Sequence, residues 1–217
     1  MCENSSDNSG ADTGNNRRTV TVRNGMDATS GIALQPYDRY GTVAVALHWV
    51  VALLIVCNLI LGLSMVPMPF TPRKFTFYLV HKWIGITVFL LACARLGWRA
   101  WRPPPPPVSA PLWQLRAAKW SHALLYALLL LVPVSGWIYS SSTGIQVVYL
   151  GLFPLPDLVP KDKTLAAVLK GVHVGLNSVL FLLVIAHVAA AMRHHFIQRD
   201  AVLARMLPLV RPRKDVQ

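Results

Sequence analysis

The stretch VHVGLNSVLFLLVIAHVAAAM, residues 172–192, contains no Asp, Glu, Lys or Arg and is interrupted by two imidazoles, His173 and His187. Read as a helix, it turns about 100° per residue, so these histidines, fourteen positions apart, come within roughly 40° of a whole number of turns and share one face. At about 1.5 Å rise per residue they stand about 21 Å apart along the axis. A hydrocarbon core is about 30 Å thick, so one spanning helix offers a nitrogen ligand near each membrane surface.

Three more windows are long and apolar enough to span, roughly Val43–Val66, Phe77–Trp98 and Trp120–Ser140. The chain of 217 residues is 54% hydrophobic and only 14% charged, against about 25% charged in soluble domains. The fold class expected is an all-α membrane protein, an up-down bundle of four transmembrane helices with both termini cytoplasmic. Residues 36–212 form that domain. Residues 1–35, rich in Asn, Ser, Asp, Gly and Thr, read as a disordered polar extension with no apolar run of the kind a signal peptide needs, and 213–217 as a short tail.

Alternating helix direction sorts the histidines by depth. His48 lies early in the first window and His187 late in the fourth, at one level; His81 and His173 begin the second and fourth windows, at the other. An ionisable side chain inside a membrane helix is functional by default. Four imidazoles in two pairs suit two six-coordinate haems, whereas zinc would want a compact cluster of four ligands. Closed bis-histidine iron passes single electrons, across the membrane or to a lipid-soluble carrier. The three cysteines, Cys2, Cys57 and Cys93, form no CxxCH, so the haems expected are non-covalent b-type. His122 could replace His48 or His187 as a ligand but would orphan one of them; it is assigned to a haem propionate, a quinone or a backbone carbonyl. His194 and His195 read as interfacial surface residues.

The net charge of +12 follows topology more than nucleic-acid binding. With the N-terminus inside, the inner side holds fifteen Lys and Arg, among them Arg39, Arg95, Arg99, Arg116, Arg193 and Arg205, against six outside: Arg73, Lys74, Lys82, Lys161, Lys163 and Lys170. Of the connections, Pro67–Thr76 is short enough to make the first two helices antiparallel neighbours. Pro103–Pro107 is a stiff spacer. Ser141–Gly171 contains an apolar run, Ile145–Phe153, expected to lie on the membrane surface as a helix or loop, and the segment after His195 reads as a short basic helix ending at Pro208.

With these residues in order, the chain resembles the bacterial cytochrome b561 family, grouped with the cytochrome b subunits of nickel hydrogenases. The matching residues are Arg39-Tyr40, Leu47-His48-Trp49, His81-Lys82 with Gly85, Arg95-Leu96-Gly97-Trp98-Arg99, His122 with Leu125-Tyr126, Pro133 with Ser135-Gly136-Trp137, His173, and His187 through His194-His195-Phe196, Arg199-Asp200 and Arg205-Met206-Leu207-Pro208. The resemblance implies a four-helix bundle with two b haems, one on His48 and His187, the other on His81 and His173. One kind of member is a superoxide oxidase that reduces ubiquinone. Trp83 departs from the family, where a small or hydroxylic residue usually follows His-Lys, and the long N-terminal extension has no counterpart in compact members.

The leading expectation is therefore a superoxide:ubiquinone oxidoreductase in the bacterial inner membrane, with membrane lipids, quinone and superoxide or another electron donor as partners and no nucleic acid. The outer cations would draw in a small anion; lipid headgroup contact is the other reading of the same charges. A quinone site is read either at Lys82 and Trp83 or at His122. The alternative function is an electron-relay cytochrome b subunit serving a dehydrogenase, hydrogenase or periplasmic protein, for which Ser141–Gly171 would be the docking surface. A proton-relay transporter is disfavoured by the lack of acidic residues in the spans and of repeat symmetry.

Overall fold

The computed structural model describes residues 39–207. The polar extension 1–35, Cys2, Pro208 and the tail 213–217 lie outside the described residues. Four helices are long and apolar enough to cross a membrane: α1 Thr42–Met65, α2 Pro72–Trp101, α3 Leu112–Thr143 and α4 Lys163–Arg193. A two-residue antiparallel pair, β1 Val148–Tyr149 with β2 Phe153–Pro154, lies in the α3–α4 connection. The closely packed helix pairs are α1–α2, α2–α3 and α3–α4.

Neighbours run antiparallel, as side-chain meetings along each seam require. Residues 58 and 62 of α1 meet His81 of α2 while Val51 meets Val88 and Ala92. Leu128 and Val132 of α3 pack on Leu180 of α4, with Leu176 and Leu183 beside them. These contacts form the apolar core. It sits midway along the bundle, Leu180 being seven residues from each of His173 and His187. The outward faces of α1 and α4 expose large aliphatic residues such as Leu63 and Leu182, which a hydrocarbon solvent accommodates and water would not.

Three helices begin earlier than their apolar windows. Thr71 caps α2, its hydroxyl accepting from the Lys74 amide, with Pro72 in the first turn. Asp162 caps α4, accepting from the amides of Thr164 and Leu165 at 2.7 and 2.9 Å. Helix α3 starts at Leu112, directly after Pro111. Hydropathy marks where hydrocarbon begins, whereas caps mark where backbone donors are satisfied. His81 and His173 consequently stand two to three turns inside their helices and not at their starts.

Two connections also differ from expectation. The run 145–153 forms the small β pair and its turn, with Leu150 and Gly151 at positive φ, so it is neither a helix nor an unpaired loop. Beyond α4 a π-helical turn, His194–Gln198, ends at Arg199 with φ 53°. The remaining described residues form isolated turns, Ala201 O accepting from Arg205 N and Leu203 O from Leu207 N. The regular basic helix expected there is absent because the left-handed Arg199 redirects the chain.

Candidate functional site

The histidines gather at two levels. At the level nearer residues 39 and 207, His48 of α1 and His187 of α4 face each other with ring centroids 6.4 Å apart and planes at 66°. His122 of α3 joins them, its centroid 5.4 Å from that of His187. At the opposite level His81 of α2 and His173 of α4 stand 6.2 Å apart with planes at 87°. The structure thus brings together both pairs read from the sequence, and it places His122 with the first of them. Helix α4 packs most closely on α3; α1 and α2 approach it at these imidazoles, and Ile55 of α1 also packs on the Leu128–Val132–Leu180 cluster.

Neighbouring side chains hold the rings. Trp49 stacks edge-on against His48 at 5.3 Å, and its indole N–H donates to the Met206 carbonyl at 2.8 Å, tying the segment after α4 to α1. Arg95 lies over the Tyr126 ring at 5.4 Å and its charge reaches His48 and His187. At the other level the imidazole tautomers follow from hydrogen-bond bookkeeping. His81 Nδ1 is 3.2 Å from the Asn58 carbonyl oxygen, which can only accept, so Nδ1 carries the proton. Ser135 Oγ donates its hydrogen to the Val132 carbonyl at 2.7 Å and therefore accepts from His173 Nδ1 at 2.9 Å. Both rings keep the Nε2 lone pair free to bind a metal.

Close backbone approach completes this level. A Cβ at Gly136 would lie 2.9 Å from Cε1 of His173, and one at Gly62 3.4 Å from Cε1 of His81. Pro133, which lacks an N–H, is accommodated inside α3 one turn before Gly136. Ser135 and Gly136 enter the sequence reading only as matching letters; their contact with His173 depends on how α3 is rotated about its axis.

The α3–α4 connection covers the His81–His173 end. Trp83 donates to the Val148 carbonyl at 2.7 Å, Thr87 Oγ1 lies 3.0 Å from the Tyr149 hydroxyl, and Lys82 Nζ reaches the Ile145 carbonyl at 3.4 Å. Trp137 donates to Pro156 O at 3.1 Å, and the Leu158 amide donates to Ser141 Oγ at 3.2 Å. Lys82 and Trp83 thus serve to hold this connection. Beyond α4, His194 Nδ1 pairs with Asp200 Oδ2, and His195 stacks on Phe196; neither ring joins the pairs.

Residues 39–209 match the family model described as prokaryotic cytochrome b561. The chain is 32% identical over 179 residues to cytochrome b561 homolog 2 of Escherichia coli K12, covering 78% of this chain and 92% of that protein. It is 31% identical over 180 residues to cytochrome b561 homolog 1 of the same organism, covering 79% and 98%. A more distant relative, 27% identical over 175 residues, is the probable superoxide oxidase CybB of Yersinia pestis, with 79% of this chain and 97% of that protein covered. A family match over the whole described bundle, with two full-length relatives above 30% identity, places this chain in the cytochrome b561 family of multi-pass, haem-binding membrane electron carriers.

Proposed function

We propose that the chain binds two b-type haems non-covalently, one between His48 and His187 and one between His81 and His173, and transfers single electrons between them and quinone. The spacing of the pairs carries this reading. With a metal–imidazole nitrogen bond of about 2 Å and about 1 Å more to the ring centre, an iron held between two imidazoles would need ring centres about 6 Å apart. The observed separations are 6.4 and 6.2 Å. The Nε2 lone pairs left free by the Asn58 and Ser135 hydrogen bonds suit that role. Bound haem supplies reversible one-electron storage. The protein's own residues fix the rings, exclude water through the apolar core and set the path's ends.

The excess of cations on the side of the His48–His187 pair supports a bacterial inner-membrane protein with both termini in the cytoplasm. The α1–α2 and α3–α4 connections, and the helix ends beside them that carry Arg73, Lys74, Lys82, Lys161, Lys163 and Lys170, then face outward. The activity proposed is superoxide:ubiquinone oxidoreductase. Two superoxide anions each give up one electron and leave as dioxygen; two electrons and two protons convert one quinone to quinol. His122 is assigned a quinone or propionate contact at its level. At the other level the single donor of Trp83 is engaged with Val148 O, while Lys82, with one of three hydrogens directed to Ile145 O, keeps donors for the same role.

A relay role is the second reading. The folded connection exposes Leu152 (74%) and Phe153 (60%) at the outer end, as a surface that docks a partner would. Stopped-flow mixing of the purified, oxidised protein with superoxide separates the two. Haem reduction followed by reoxidation on adding ubiquinone is expected. Absence of reduction by superoxide sinks the oxidase reading in favour of the relay, and a pyridine haemochrome assay giving one haem per chain sinks the two-level assignment.

A further inference from the structure

The two imidazole pairs are chemically unequal. Both rings of the His81–His173 pair give their Nδ1 hydrogens to protein acceptors, the Asn58 carbonyl and Ser135 Oγ. At the other level His48 Nδ1 is buried with no hydrogen-bond partner among the described residues. A ring N–H held by an acceptor makes the opposite nitrogen a stronger donor, and stronger donation favours ferric over ferrous iron. Fixed charge acts in the same direction. Arg95 reaches both His48 and His187, whereas the charge of Lys82 beside His81 is opposed by Asp157.

Resting on the two-haem reading above, we propose that Ser135 is a positioning residue for His173. Together with the Val132 carbonyl that also acts on the ring, its hydroxyl fixes the ring's tautomer, and it makes the His81–His173 site the one whose haem is harder to reduce. Ser135 is 7% exposed, and its own hydrogen is committed to Val132 O at 2.7 Å, so the hydroxyl acts on His173 only as an acceptor. The resulting potential difference favours electrons entering at the end covered by the α3–α4 connection and resting at the His48–His187 end.

Spectroelectrochemistry of the purified holoprotein, with low-spin electron paramagnetic resonance spectra alongside, tests this in Ser135→Ala, Ser135→Cys and Ser135→Thr. Removing the acceptor in Ser135→Ala is expected to raise the lower of the two midpoints, to alter one low-spin signal and to leave the higher midpoint in place. Ser135→Cys, close in volume but with a weak sulfur acceptor, is expected to move the same component, so the reading survives if the Ala variant folds poorly. Ser135→Thr restores the hydroxyl and the wild-type values. Unmoved midpoints in Ala and Cys variants that hold two haems, or movement of the higher component, overturn the proposal while leaving the haem assignment standing. Fewer than two haems in the wild-type chain overturns the haem assignment itself.

Discussion

A methyl group at position 136 would sit 2.9 Å from Cε1 and 3.2 Å from Nδ1 of His173, closer than packed atoms tolerate. Intrinsic helix propensity runs the other way, favouring alanine over glycine by about 1 kcal/mol in a helix interior. Gly136→Ala therefore sets a backbone gain against displacement of a ring wedged between two helices. The expected outcome is a folded, membrane-inserted protein with about half the wild-type haem by pyridine haemochrome. Gly62→Ala, whose added carbon would meet His81 at an ordinary 3.4 Å, is expected to keep its haem. The same assay checks the pairing. His48→Ala and His187→Ala should remove one spectral component and His81→Ala and His173→Ala the other, since residues about 21 Å apart on one helix cannot share an iron. Retention of both components in His187→Ala would contradict the assignment.

At the scale of elements, the bonds from α2 and α3 to the α3–α4 connection decide how it sits. Trp83 Nε1 on Val148 O is the longest-range of them, spanning 65 positions in the chain. Trp83→Phe keeps the ring and removes this bond, a loss of about 1 kcal/mol. It should speed proteolytic cleavage between residues 144 and 162 without changing haem content; unchanged cleavage would mean that Thr87 with Tyr149 and Trp137 with Pro156 suffice. Asp162→Ala removes the α4 cap and is expected to cost about 1 kcal/mol in thermal or denaturant stability. The four helices and their order were readable because hydrocarbon demands long apolar runs, and the levels of the four histidines because successive helices reverse direction. The early starts of α2 and α4 depended on Thr71 and Asp162, ordinary polar residues until their backbone partners are seen. Ser135, Asn58 and Gly62 were out of reach for another reason. A helix that is apolar on every side carries no facial signal, so the rotation that turns Ser135 toward His173 is set by packing against α4. The β pair escaped because its partners on α2 are 62 and 65 positions away.

Across the whole molecule, the charges of the described residues gather toward the two ends of the helices. Among the described residues the acids number three, Asp157, Asp162 and Asp200, none of them inside a span. At the His81–His173 end Asp162 is engaged as the α4 cap, and the charge of Asp157 acts on Lys82. The cations there are not equivalent. Lys74 donates to the Met68 carbonyl at 2.6 Å, and the Lys161 stem packs where a Cβ of Gly144 would be, Gly144 itself having φ 75°. Replacing either would disturb a turn. Arg73, Lys163 and Lys170 are exposed, so Arg73→Gln, Lys163→Gln and Lys170→Gln together change the field at this end with little change in packing. A small anion gains attraction from such charges that decays over a Debye length of about 10 Å at 0.1 M salt. The wild-type second-order rate of haem reduction by superoxide is thus expected to fall as ionic strength rises. In the triple variant the low-salt rate should be lower by several-fold and its salt dependence flatter, with the two rates converging at high salt and the haem spectra unchanged. Equal slopes in both proteins would assign these cations to lipid headgroups instead, and would move the entry of the anion away from this face.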